Sequence, residues 1–98
     1  MSSKIVVNFE ITNMLIMEDT LKQLGHIHTK TNEGFSISRP YYDINISKNE
    51  ITHDSMHVHE VNDIKINYQK NFQIHERTIR GETFEVIETK DEIVITVH

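Results

Sequence analysis

Apolar and polar residues alternate with a period of two along most of this chain, and only one stretch breaks the rule. Period-two alternation places successive side chains on opposite faces of a strand, so it restricts the chain to sheet-forming architectures. Residues 4–11 set the pattern, with Ile5, Val7, Phe9 and Ile11 on one side and Lys4, Val6, Asn8 and Glu10 on the other. The exception follows at once: Met14, Met17, Leu21 and Leu24 recur at three and four residues. That spacing predicts an amphipathic helix over 13–24, started by Thr12 or Asn13 as cap and stopped by Gly25. It is expected to be the only helix.

After Gly25 the period returns to two. Strands are expected over 26–31 and 35–39, flanking the Asn32-Glu33-Gly34 loop, and over 42–47 and 50–53, joined by Lys48-Asn49. The same rule gives strands over 56–60, 63–69, 72–78, 83–89 and 92–97, with turns at Arg80-Gly81 and Lys90-Asp91. Short connections join antiparallel neighbours, because a parallel pair needs a crossover of a dozen or more residues.

The expected class is therefore α+β: a single amphipathic helix packed on a curled, meandering antiparallel β-sheet, in one domain spanning 1–98. The sheet's apolar face draws on Ile5, Val7, Phe9, Ile44, Ile46, Ile64, Ile66, Phe84, Val86, Ile93 and Ile95. One short helix cannot cover that many strands, so the sheet has to curl or pair with another copy, and a homo-oligomer through a sheet edge or face is expected.

Composition fits a folded module: 37% of the residues are hydrophobic and 26% charged. Fifteen Ile and eight Asn, with no Ala and no Trp, resemble the output of an AT-rich genome such as those of many phages, organelles and some bacteria. The absence of Cys excludes disulfides, thiolate zinc sites and a Cys nucleophile. Asn8 and Glu10 interrupt the first apolar run, which therefore does not read as a signal peptide, and no run reaches membrane-spanning length. A cytoplasmic location is the expectation.

The formal net charge of −5 disfavours a phosphate-binding surface, so a nucleic-acid partner is not expected and no membrane is involved. Residues 82–92 carry Glu82, Glu85, Glu88, Asp91 and Glu92 against Lys90 alone. That acidic hairpin is a candidate docking surface for a protein with a basic surface.

Histidine carries the chemistry of the sequence. Seven occur in 98 residues, five of them in His26-Ile27-His28 and His53-Asp54-Ser55-Met56-His57-Val58-His59. On strands, His57 with His59 and His26 with His28 are i, i+2 neighbours, and two such pairs on adjacent strands, with His53, would offer ligands to zinc or another divalent transition metal. Glu60 or Asp63 would add a carboxylate. Residues 57–63 resemble the His-x-His and downstream acid of cupin metal sites, although the glycines and prolines that shape a cupin barrel are missing. The competing reading places the imidazoles on solvated strand faces, with Ile27, Met56 and Val58 turned inward. Protonating all seven would add seven charges to −5 and take the surface to +2, so solubility or oligomeric state is expected to change between about pH 7 and pH 5.

Other constellations are weaker. Gly25, Gly34 and Gly81 are too scattered for a phosphate loop, and Ser55, His53 and Asp54 are sequence neighbours rather than a triad. Glu85 and Glu88 fall on opposite faces of a strand, Tyr41-Tyr42 reads as edge packing, and Lys70, Arg77 and Arg80 read as a solvated charged face.

The opening strand and helix, ending Leu21-Lys22-Gln23-Leu24-Gly25, together with Asp63-Ile64-Lys65-Ile66, Asn71-Phe72-Gln73-Ile74 and Gly81-Glu82-Thr83-Phe84-Glu85-Val86-Ile87, resemble a family of small uncharacterised proteins of algal plastid and cyanobacterial genomes. The resemblance covers about half of the chain. It implies strand, helix, then antiparallel sheet, and lends no active site. This chain ends at His98, where the family continues, and 31–60 has no counterpart. The functional expectation is a small acidic non-enzymatic interaction module, an accessory or inhibitory protein docking through a sheet edge or the acidic hairpin. A histidine-based metal-binding protein is the alternative.

Overall fold

A computed structural model of the chain describes residues 4–40, 42–81, 84–88 and 93–97, the last two segments as backbone. Strand β1 (Lys4–Asn8) leads into helix α1 (Met14–Gln23), followed by β2 (Thr29–Lys30), β3 (Gly34–Ile37), β4 (Ile44–Ser47) and β5 (Glu50–Asp54). A 3-10 turn (Ser55–His57) then opens helix α2 (Val58–Arg80), and β6 (Phe84–Glu88) pairs antiparallel with β7 (Ile93–Val97). The fold is α+β, as the alternation implies.

The main sheet has five antiparallel strands in the order β1-β5-β4-β3-β2, and among the described residues neither β1 nor β2 has a second strand beside it. Strands β2 to β5 form a meander, and α1 carries the chain across so that β1 pairs with β5. Lys48-Asn49 makes the turn into β5, and Asn32-Glu33 links β2 to β3. Gly34 is required where it sits, because a Cβ there would collide with the Ile46 carbonyl oxygen on β4.

Helix α1 begins and ends where its sequence signals lie. Asn13 Oδ1 accepts from the amides of Leu15 and Ile16, and Gly25, at φ +79°, lets His26 N–H return to the Leu21 carbonyl.

The second helix overturns the expectation of a single one. Strands expected over 56–60, 63–69 and 72–78 are instead the 3-10 turn and the 23 residues of α2. Val61, Ile64, Tyr68 and Phe72 fall at spacings of three, four and four, one apolar stripe on a helix, with the first three buried. Asp54 Oδ1 starts the turn by accepting from Met56 N–H, and Gly81, at φ +72°, ends the helix. The Ile64/Ile66 alternation thus lies on a helix, with Ile64 buried and Ile66 half-buried.

Both helices cover one face of the sheet. Ile16, Met17 and Leu21 of α1 and Val61, Ile64 and Tyr68 of α2 meet Phe35, Ile37, Ile44, Ile46 and Ile51 in one core. Burying each of these side chains contributes about 1.5–3 kcal/mol before entropy. Tyr68 fastens the layer: its Oη accepts from the amides of Thr12 (3.1 Å) and Asn13 (3.2 Å), the entry to α1. The opposite face presents the row Ser36, Asn45, Thr52 and Val6, in register across β3, β4, β5 and β1.

Candidate functional site

The fold does not bring the histidine pairs together as pairs. His57 ends the 3-10 turn and His59 lies in the first turn of α2, so the i, i+2 relation places them on different sides of a helix rather than on one strand face. His57 is half-buried and His59 exposed. The resemblance of 57–63 to a cupin strand fails for the same reason.

His53 faces the core from β5, buried beside Ile51, with Nδ1 donating to the Asp54 carbonyl at 2.7 Å. His26 and His28 lie between α1 and β2 rather than in a strand of 26–31. The inward positions assigned to Ile27, Met56 and Val58 are also reversed: all three are exposed, Ile27 at 91%. His28 turns inward instead, edge-on to Phe35 with centroids 5.3 Å apart, and places Nε2 3.2 Å from Glu18 Oε2. That hydrogen bond holds the Glu18 carboxyl below the usual carboxylate range, with Lys30 at 3.8 Å adding to it.

A different constellation gathers two of the histidines around a carboxylate. Arg39 Nε donates to Glu60 Oε2 and Arg39 Nη2 to Glu60 Oε1, each at 3.0 Å, a bidentate fork between the end of β3 and the start of α2. His57 Nδ1 lies 3.1 Å from Glu60 Oε2. On the other side, Arg39 Nη2 donates to His26 Nδ1 at 3.3 Å, a contact that needs a bare lone pair on Nδ1.

The fork holds Glu60 ionised, below the usual carboxylate range, and the positive groups around it act in the same sense. Burial pushes His26 down, and the Arg39 charge adds to this, against the opposing pull of Glu60 and Asp63. Sequence reasoning singled out Glu60 as an accessory acid and missed Arg39, which alternation marks only as the last polar residue before Pro40.

Among the described residues, no three His, Asp or Glu side chains gather as a metal cluster. In the Arg39–Glu60 cluster, Arg39 Nη2 lies between His26 Nδ1 and Glu60 Oε1 and donates to both.

Of the acidic hairpin, Glu82, Asp91 and Glu92 lie outside the described residues, and Glu85 and Glu88 are described only as backbone positions of β6. Tyr41 and His98 also lie outside them. Tyr42 and His75 are exposed. Arg80 lies 3.8 Å from Glu76 on α2. No helix among the described residues is long and apolar enough to cross a membrane.

The sheet edges differ in a way that bears on docking. Strand β2, at one end, has two residues, both exposed and one of them Lys30. Strand β1, at the other, has five, with Lys4 its only charged side chain. Short, charged edges discourage strand addition, and β1 is longer than β2 and carries its one charge at its first residue. The Phe9 amide bonds to the Asn49 carbonyl at 3.0 Å, which sets the phase of the β1–β5 ladder. By alternation Ile5 and Val7 bond to β5, while the amides and carbonyls of Lys4, Val6 and Asn8 turn away from the sheet.

Side chains repeat the contrast: Ile5, Val7 and Phe9, on the core side of β1, are only half-buried, whereas Ile44, Ile46 and Ile51 on the central strands are fully buried. Val6, on the other side, is 54% exposed.

No protein-family model, no curated protein and no solved structure matches the chain.

Proposed function

We propose that the chain is a small non-enzymatic interaction module, an accessory or inhibitory protein that docks by adding the free edge of β1 to a partner. The observation that carries this reading is the edge itself: outward amides at Val6 and Asn8 beside half-buried Ile5 and Val7. Main-chain hydrogen bonds supply affinity in strand addition, and pockets for alternate side chains supply specificity.

A photo-crosslinking residue at Val6 tests the reading, with the same residue at Asn45, in the middle of the open face, as control. The module reading predicts adducts from Val6 and none from Asn45. Asn8→Pro removes one outward donor without touching the β5 ladder, and it should abolish those adducts while leaving the melting temperature nearly unchanged. Equal labelling from both positions, or adducts that survive Asn8→Pro, would count against edge docking.

The alternative use of the histidines, as ligands of zinc or another divalent transition metal, rests on one atom. His57 Nε2 is buried and has no hydrogen-bond partner among the described residues. Glu60 faces the other ring nitrogen, Nδ1, at 3.1 Å, where it would orient the imidazole rather than ligate a metal at Nε2. Elemental analysis of tag-free protein decides between the readings: a stoichiometric metal lost in His57→Ala favours the metal site.

A further inference from the structure

We infer that the strand received by β1 is β1 of a second copy, paired antiparallel about a two-fold axis at Val7. The inference rests on the edge-docking reading and adds the partner and the register to it.

By alternation Lys4, Val6 and Asn8 turn amides and carbonyls outward, and Glu10 follows between Phe9 and Ile11, whose amides bond to the β4–β5 turn, to Asn49 and Lys48. A facing strand must therefore make its narrow, hydrogen-bonded pairs with even-numbered residues. Centring the axis on Val7 satisfies this condition. Lys4 then faces Glu10 of the copy, Val6 faces Asn8, and Val7 faces itself in a wide, non-hydrogen-bonded pair.

Charge selects this register. The chain's net charge of −5 opposes self-association, so opposite charges have to meet at the edge itself. Lys4 and Glu10 are both exposed, and neither has an ion pair among the described residues. In the two-fold pairing they meet twice. Shifting the centre to Val6 instead sets Lys4 against Asn8 and leaves Glu10 without a cross-strand cation.

The core side agrees. The same register sets Ile5 against Phe9 of the copy and Val7 against Val7, covering the three apolar side chains that the protomer leaves half-buried. Pairing in this way joins two five-stranded sheets edge to edge and leaves the short β2 strands outermost.

The chain lacks cysteine, so a single introduced thiol reports the register without background. Facing residues in a non-hydrogen-bonded antiparallel pair have Cα atoms about 4.5 Å apart, within disulfide range. Val7→Cys should therefore oxidise to a covalent dimer about tenfold faster than Val6→Cys, whose partner across the edge is Asn8. In sedimentation equilibrium of the full chain, Lys4→Glu should weaken the dimer by roughly tenfold, and Lys4→Glu with Glu10→Lys should restore it.

Faster oxidation of Val6→Cys would overturn the register. A chain that sediments as a monomer while Val6 crosslinks to a different protein would overturn the second copy and leave edge docking standing. A monomer with no Val6 adduct of either kind would overturn both.

Discussion

Arg39 and Glu60, 21 residues apart in sequence, are joined by two parallel hydrogen bonds of 3.0 Å, and two imidazoles flank the pair. The fork ties the β3–β4 connection to the first turn of α2, where an acid also suits the helix dipole. Glu60→Gln removes the charge and one good acceptor, and should lower stability by about 1 kcal/mol in urea unfolding. Arg39→Lys keeps the charge and loses the fork, so its cost should be similar. A Lys variant as stable as the parent would show that the planar geometry contributes nothing.

Two windows of pH dependence follow from the same cluster. The folded state holds His26 below its ordinary value of 6.5, so the unfolded chain takes up the proton first. The His26 contribution is complete above about pH 6.5 and is lost as the pH falls below it. Glu60 is held below 4.5, so its contribution is present above that value and disappears on further acidification. The urea midpoint should fall between pH 7 and pH 5, and His26→Gln should fall less over the same range. Parallel profiles for the two proteins would exclude His26 as the source.

Tyr68 contributes through its hydroxyl as well as its ring. Its Oη is the acceptor for the amides of Thr12 and Asn13, and the ring sits edge-on to Phe9 at 5.7 Å. Tyr68→Phe keeps the packing and orphans both donors, at an expected cost of about 1–3 kcal/mol. The loss should appear as a lower melting temperature with faster amide exchange at the start of α1.

Gly34→Ala should be among the most damaging small substitutions in the chain. The added methyl meets the Ile46 carbonyl, a backbone atom of the paired strand that cannot rotate away. Thermal unfolding should show a loss of about 1–3 kcal/mol, through displacement of β3 from β4. An unchanged melting temperature would place the two strands further apart than the ladder requires.

The sheet and α1 were legible because each signal acts locally. Asn13 caps, Gly25 stops, and Ile44 and Ile46 alternate with Asn45 and Ser47, as the elements require. Helix α2 was not legible because β-branched and Asn residues imitate alternation: Ile64 and Ile66, then Phe72 and Ile74, stand two apart. The contrary signal was present, since residues 55–80 contain neither Gly nor Pro, and three strands would need two turns there. The His26–Arg39–Glu60–His57 cluster was hidden for another reason: it joins a loop, a strand end and a helix start. Only tertiary packing creates that proximity.

The most direct test of the account is residue-resolved amide exchange along β1 in dilute and concentrated protein. In dilute protein, Ile5 and Val7 should be protected by β5, while Val6 and Asn8 exchange at nearly the rate of free peptide. At high concentration Val6 and Asn8 should become protected as the second copy docks. Protection of Val6 and Asn8 that is already complete in the dilute monomer would mean that the edge is covered within the chain, and would contradict the account.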